Sequence, residues 1–174
     1  MTLLQLLPCF LAVAVFGTAC GDPVRDDAVA ALGGEAPGVR HGPLHRPGQP
    51  CTLCHDGGRA GAFSIAGTVF RSADTTAPLV GAQVRLTDAT GATRSFSTNA
   101  AGSFYAASGD YSPAYPLWVT IAFGGDCLDM KTQDFRDASC ASCHADPPSN
   151  QSMGHVYFEG PRADGGLAFR PGCR

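Results

Sequence analysis

"AGTVFRSADTTAPLVGAQVRLTDATGATRSFSTNAAGSFY", residues 66–105, is the stretch on which the fold turns. In and around it lie short runs rich in β-branched and aromatic residues: FSIAGTVF (63–70), AQVRLTD (82–88), TRSFST (93–98), SFYAA (103–107) and LWVTIAF (117–123). Apolar and polar positions mostly alternate along them, the period of half-buried strands. Turn residues stand between the runs: Gly91 at the tip of DATGAT, Gly102 in NAAGS, and the SGDYSPAYP break before Leu117. Each run can therefore reverse into the next. Strands of this length and spacing predict a mainly β fold, a small Ig-like β-sandwich over residues 63–125. Phe104, Trp118 and Phe123 are expected in its core, with Tyr111 and Tyr115 exposed in a loop.

The same residues resemble the carboxypeptidase regulatory-like domain, a transthyretin-type β-sandwich. The pattern GxV, PLxGAxVxL, TxxxGxF stands here at residues 67–69, 78–86 and 98–104, and the resemblance covers residues 64–123. It implies the sandwich and no particular activity, since such sandwiches serve many unrelated proteins.

On either side of the strands the chain repeats a second pattern. Residues 51–55 are CTLCH and residues 140–144 are CASCH. With the 8 Cys and 5 His of this chain, chance predicts about 0.01 such matches. CxxCH is the attachment signature of c-type haem: two cysteine sulfurs bond the porphyrin and the adjacent histidine ligates the iron. Two covalent haems c are therefore expected, one on Cys51, Cys54 and His55 in a segment spanning 51–62. The other is expected on Cys140, Cys143 and His144 in a segment spanning 126–174, which also holds a possible strand in HVYFEG (155–160). Alternatively, the CxxC pairs are disulfides, or ligands of a zinc clip.

All five histidines, His41, His45, His55, His144 and His155, lie in or near these motifs, and none lies between them. Apart from Met1, the methionines are Met130 and Met153. Histidine or methionine supplies the sixth ligand of a haem iron and so tunes its potential. His45 is expected to do so for the first motif, folding back over HRPGQPC. Met130 is expected for the second, ahead of His155 or Met153.

Residues 1–19 are an apolar run without charged side chains, read as an export signal peptide. GTAC at residues 17–20 resembles a bacterial lipobox, which implies a lipid anchor on Cys20. Residues 20–50, rich in Pro, Gly and charge, are read as a flexible tether. With Cys9 in the signal, Cys20 on lipid and four cysteines on haem, Cys127 and Cys173 remain as a disulfide candidate in an oxidising compartment.

The balance of 12 Lys and Arg against 15 Asp and Glu offers no cationic cluster, so no nucleic-acid partner is expected. No Ser/His/Asp or paired-carboxylate arrangement stands out as catalytic. These readings converge on an electron carrier of the bacterial envelope, in the periplasm or at the outer membrane or cell surface, exchanging electrons with redox partner proteins. The alternative is a cell-surface sandwich module for binding or structure.

Overall fold

The computed structural model describes residues 21–35, 37–159 and 170–171. Its strands are β1 (Phe63–Thr68), β2 (Phe70–Ser72), β3 (Thr75–Pro78), β4 (Gln83–Thr87), β5 (Thr93–Ser97), β6 (Ser103–Ala107), β7 (Trp118–Phe123), β8 (Asp126–Asp129), β9 (Tyr157–Glu159) and β10 (Arg170–Pro171). One α-helix, α1 (Pro23–Ala31), precedes them, and single 3₁₀ turns occupy Cys51–Leu53 and Cys140–Ser142. The protein is mainly β, as its alternating runs predict, with strands in three sheets around a common core.

The alternation in β4 builds the centre of the larger sheet. Val84 and Leu86 are buried while Gln83, between them and the turn, is exposed. β4 pairs antiparallel with both β5 and β7, in the order β10-β8-β7-β4-β5. Facing it, β1 pairs antiparallel with β6, and a third sheet runs β3-β2-β9. Ile65, Val69, Leu79, Leu86, Phe104, Leu117, Ile121 and Phe158 fill the space between them. Removing such side chains from water supplies the main drive to fold, each stabilising by about 1.5–3 kcal/mol.

The predicted strand over residues 63–70 is divided at Val69. Its N–H donates to the Gly102 carbonyl and its own carbonyl accepts from Leu79, so the backbone leaves one partner for another. Gly102 has φ +74°, and a Cβ there would stand 2.4 Å from the Val69 oxygen. Only glycine permits that approach. The sheet also continues past residue 125, because Gly124 and Gly125 with positive φ make a two-residue hairpin that pairs Phe123 with Asp126. β8 thus belongs to the sandwich, not to the segment after it.

Three side chains depart from expectation. Trp118 is 46 % exposed whereas Tyr111 is buried at 9 %, and Tyr115 packs partly buried against the core. The SGDYSPAYP break turns inward at its tyrosines because the Tyr115 to Pro116 linkage leads straight into fully buried Leu117.

The predicted strand in HVYFEG is β9, which lies parallel to β2, Phe70 opposite Tyr157. β10 pairs Arg170 with Cys127, and Cys127 is disulfide-bonded. Cys173, its expected partner, lies outside the described residues, as do residues 1–19 and Cys20. No helix among the described residues is long and apolar enough to cross a membrane.

Residues 21–50 differ from a free tether. Asp22 caps α1 by accepting from the Arg25 N–H at 3.1 Å, with Pro23 in the first turn. The helix is then tied to the first CxxCH turn by the side chains of Arg25 and Asp26, and those bonds give a short helix the tertiary support it lacks alone.

Candidate functional site

Both CxxCH stretches fold into the same local structure. In the first, the Cys54 and His55 N–H groups both donate to the Cys51 carbonyl, at 3.2 and 2.9 Å. In the second, Cys143 and His144 donate to the Cys140 carbonyl at 3.2 and 2.8 Å. One turn thus sets two sulfurs and one imidazole in each motif, as five residues of this spacing allow.

The histidines share a further feature. His55 Nδ1 donates to the Gly61 carbonyl at 3.0 Å, and His144 Nδ1 to the Gly154 carbonyl at 3.2 Å. His45 Nδ1 donates in turn to the Gly42 carbonyl. A backbone acceptor on Nδ1 fixes the tautomer and leaves Nε2 as the lone-pair nitrogen, the arrangement that metal-ligating histidines use. The sequence did not point to these glycine carbonyls, since backbone acceptors carry no residue signature.

His155 is arranged otherwise. It is 8 % exposed, its Nδ1 faces Asp146 Oδ2 at 2.5 Å and its Nε2 faces the Ser72 carbonyl at 3.0 Å. With both nitrogens committed, it pins the segment after CASCH to β2 instead of offering a ligand.

The first motif opens on a cavity of about 500 Å³, within the range of small-molecule and cofactor sites. Cys51, Cys54, His55 and His45 stand in its wall, with Leu32, Pro43, Pro50, Phe63, Phe104 and Tyr105 supplying apolar surface. The His45 and His55 rings lie 5.8 Å apart between centroids, 27° from parallel. The predicted pairing of His45 with the first motif is therefore a pairing of neighbours. Arg25, which the sequence reading left in the tether, braces this wall from behind: its Nε donates to the Leu53 carbonyl at 2.9 Å and it reaches the Thr52 carbonyl and Asp56.

The second motif lies along β1 as well. The Ala66 N–H donates to the Ala138 carbonyl at 2.8 Å, and Ala66 bridges Ser139 in parallel register. β1 is held from the first motif too, by Phe63 N–H on the His55 carbonyl at 3.0 Å. The single strand therefore carries both CxxCH turns. Cys140 is packed over Gly67, where a Cβ would come within 2.6 Å of its sulfur. Burial pushes the Cys140 thiol up to about 12, with Asp134 and Cys51 adding to the shift. Burial likewise raises Cys51.

Met130 follows β8, its N–H on the Val119 carbonyl at 2.9 Å, in the larger sheet. Met153 lies beside the second motif itself. Its N–H donates to the Cys143 carbonyl at 2.9 Å, and its side chain is 79 % exposed.

Cys51, Cys54, Cys140 and Cys143 are free thiols, so neither CxxC pair is bridged. Among the described residues, no three His, Cys, Asp or Glu side chains gather as a metal cluster. The donor set does suit a c-type haem: two unbridged thiols, an adjacent imidazole with Nδ1 anchored, and at the first motif an apolar cavity with a second anchored imidazole.

No family model, curated protein or solved structure matches this chain. The reading of the site rests on its residues alone.

Proposed function

We propose that this protein is an electron carrier with two covalently bound c-type haems, one on Cys51, Cys54 and His55 and one on Cys140, Cys143 and His144. The observation that carries the reading is the repetition of one built site. Both CxxCH stretches adopt the same turn and anchor the motif histidine through Nδ1 to a glycine carbonyl.

A bound haem supplies reversible one-electron chemistry at its iron. The chain's own residues do the rest. The cysteines fix the group in place, and His55 and His144 present Nε2 to it. His45, whose ring neighbours that of His55, would help to hold the group at the first site; at the second, Met153 would be preferred to Met130 for its position beside Cys143. Leu32, Pro43 and Phe63 give the first cavity apolar walls, and burial of the group against them would tune its potential. The reading is an electron carrier, not an enzyme. Export by residues 1–19, a lipid anchor at Cys20, a place in the bacterial envelope and redox partner proteins there belong to the same proposal.

The deciding measurement is a quantified pyridine haemochrome spectrum of the mature protein, made in a bacterial envelope with the cytochrome c maturation machinery. Two haems per chain are expected. A folded, exported protein without haem would overturn the reading in favour of a surface module.

A further inference from the structure

We infer that Phe63 and Tyr105 form the route along which electrons pass between the first site and a partner at the surface, an inference that rests on the haem reading above. Three rings stack in series. The His55 and Phe63 centroids are 3.9 Å apart with planes 7° from parallel, and Phe63 and Tyr105 follow at 4.6 Å and 14°. The series ends at Tyr105, 43 % exposed.

This stack is built by a backbone irregularity. Between β1 and β6 the register runs Phe63 opposite Ala107 and Ile65 opposite Ala106, so Ser64 is an extra residue in β1. In a regular strand Phe63 and Ile65, two residues apart, would share the inner face. With the bulge at Ser64, Phe63 turns out to the face of Tyr105, where the His55 ring also lies. Bulges re-aim side chains in this way, often beside functional sites.

The geometry is also unlike the rest of the molecule. The other ring pairs described, apart from His45 with His55, lie 30° or more from parallel, in the tilted and edge-on arrangements that ring quadrupoles favour. A centroid spacing of 3.9 Å leaves little lateral offset, so the His55 and Phe63 faces overlap extensively. Overlapping π faces couple electronically, and this series starts on the ligand of one site and ends in solvent.

The step is a one-electron transfer. The group held by His55 loses one electron and a one-electron carrier protein docked at Tyr105 gains it, or the reverse. No bond forms or breaks, no proton moves, and neither ring is itself oxidised.

The test uses the full haem-loaded chain and its Tyr105→Ser and Tyr105→Phe variants. Haem attached to each motif is counted by peptide mass, the midpoint potentials are measured, and oxidation by tris(phenanthroline)cobalt(III) is followed by stopped flow. Because Tyr105 also lines the first cavity, rates are compared per haem attached at Cys51 and Cys54 and at matched driving force; on that basis Tyr105→Ser should slow the first site's oxidation severalfold, and Tyr105→Phe should keep the unaltered rate. Haem present with an unchanged rate in Tyr105→Ser would overturn the route alone. A rate lost equally in Tyr105→Phe would also overturn it, since the stack survives there. Absence of haem from Cys51 and Cys54 would sink the route and the haem reading together.

Discussion

At the scale of single residues, Gly67 shows how closely the second motif depends on β1. A methyl group there would meet Cys140 Sγ at 2.6 Å, Cys140 Cβ at 2.9 Å and Phe104 Cε1 at 2.9 Å, and strand and aromatic ring cannot both yield. Gly67→Ala should therefore destabilise the fold by about 1–3 kcal/mol, as overpacked cores do, and should lower haem attachment at Cys140 more than at Cys51. Urea unfolding and peptide mass analysis read the two effects; equal stability would mean that Cys140 is free to move aside. The sequence marked Gly67 only as the start of a GxV pattern. Its reason for being glycine is a contact with residue 140, and no local pattern encodes a neighbour 73 positions away. Tyr115 offers the opposite lesson. Its hydroxyl is buried without a partner, like that of Tyr111 and Ser139 Oγ, and burial, with Asp134 and Asp137 nearby, raises it to about 12. An unpartnered buried hydroxyl costs about 1–3 kcal/mol. Tyr115→Phe should thus leave the melting temperature unchanged or raise it, and a marked fall in calorimetry would reveal a partner for the hydroxyl.

Among the elements, α1 is the one that the sequence concealed. Residues 21–50 have the composition of a linker, and composition says nothing of the side-chain bonds that hold a short helix down. Arg25 bonds the carbonyls of Thr52 and Leu53 and pairs with Asp56 at 3.2 Å, while Arg59 pairs with Asp26. Asp56 also accepts from the Gly58 and Arg59 N–H groups, which with Arg25 lower its pKa. Solvent screens these charge-assisted bonds, so the helix is held by several of them together. Arg25→Ala should release α1 and expose residues 21–50 to limited proteolysis, while the sandwich stays intact. Cleavage no faster than in the unaltered chain would show that other contacts suffice. By contrast the central strands were legible, because β4, β5, β6 and β7 carry their alternation locally. β3 and the β8 hairpin were not: TTAP reads as loop, and Gly124–Gly125 lies where the alternating run had already ended.

For the whole molecule, no local pattern in the sequence says where the two CxxCH motifs stand relative to each other. In the structure both turns are held by β1. What secures this arrangement at the C-terminal side is His155, wedged between Asp146 and the Ser72 carbonyl, with Phe70 and Tyr157 edge-on to its ring. Both of its acceptors are satisfied at once only by the imidazolium. Burial alone would lower its pKa, but the Ser72 carbonyl and Asp146 outweigh that and raise it above 6.5, while the His155 ring holds Asp146 below 3.8. A raised histidine contributes stability that is complete below its unfolded value and is lost as pH climbs through its folded value. A lowered aspartate contributes stability that is complete above its unfolded value and is lost as pH falls through its folded value. The clamp is thus strongest between pH 3.8 and 6.5, the ordinary values of the two groups. Because the Asp146 side chain is 47 % exposed, solvent screening limits the contribution to about 1 kcal/mol, or about 2–4 °C in melting temperature for a chain of this size. Melting curves across pH should show that loss on the alkaline side of the window in the unaltered protein. In His155→Gln, which cannot carry the charge, the alkaline loss should vanish and the curve between pH 6 and 9 should flatten. The same slope in both proteins would place the titration elsewhere and leave His155 a neutral strut.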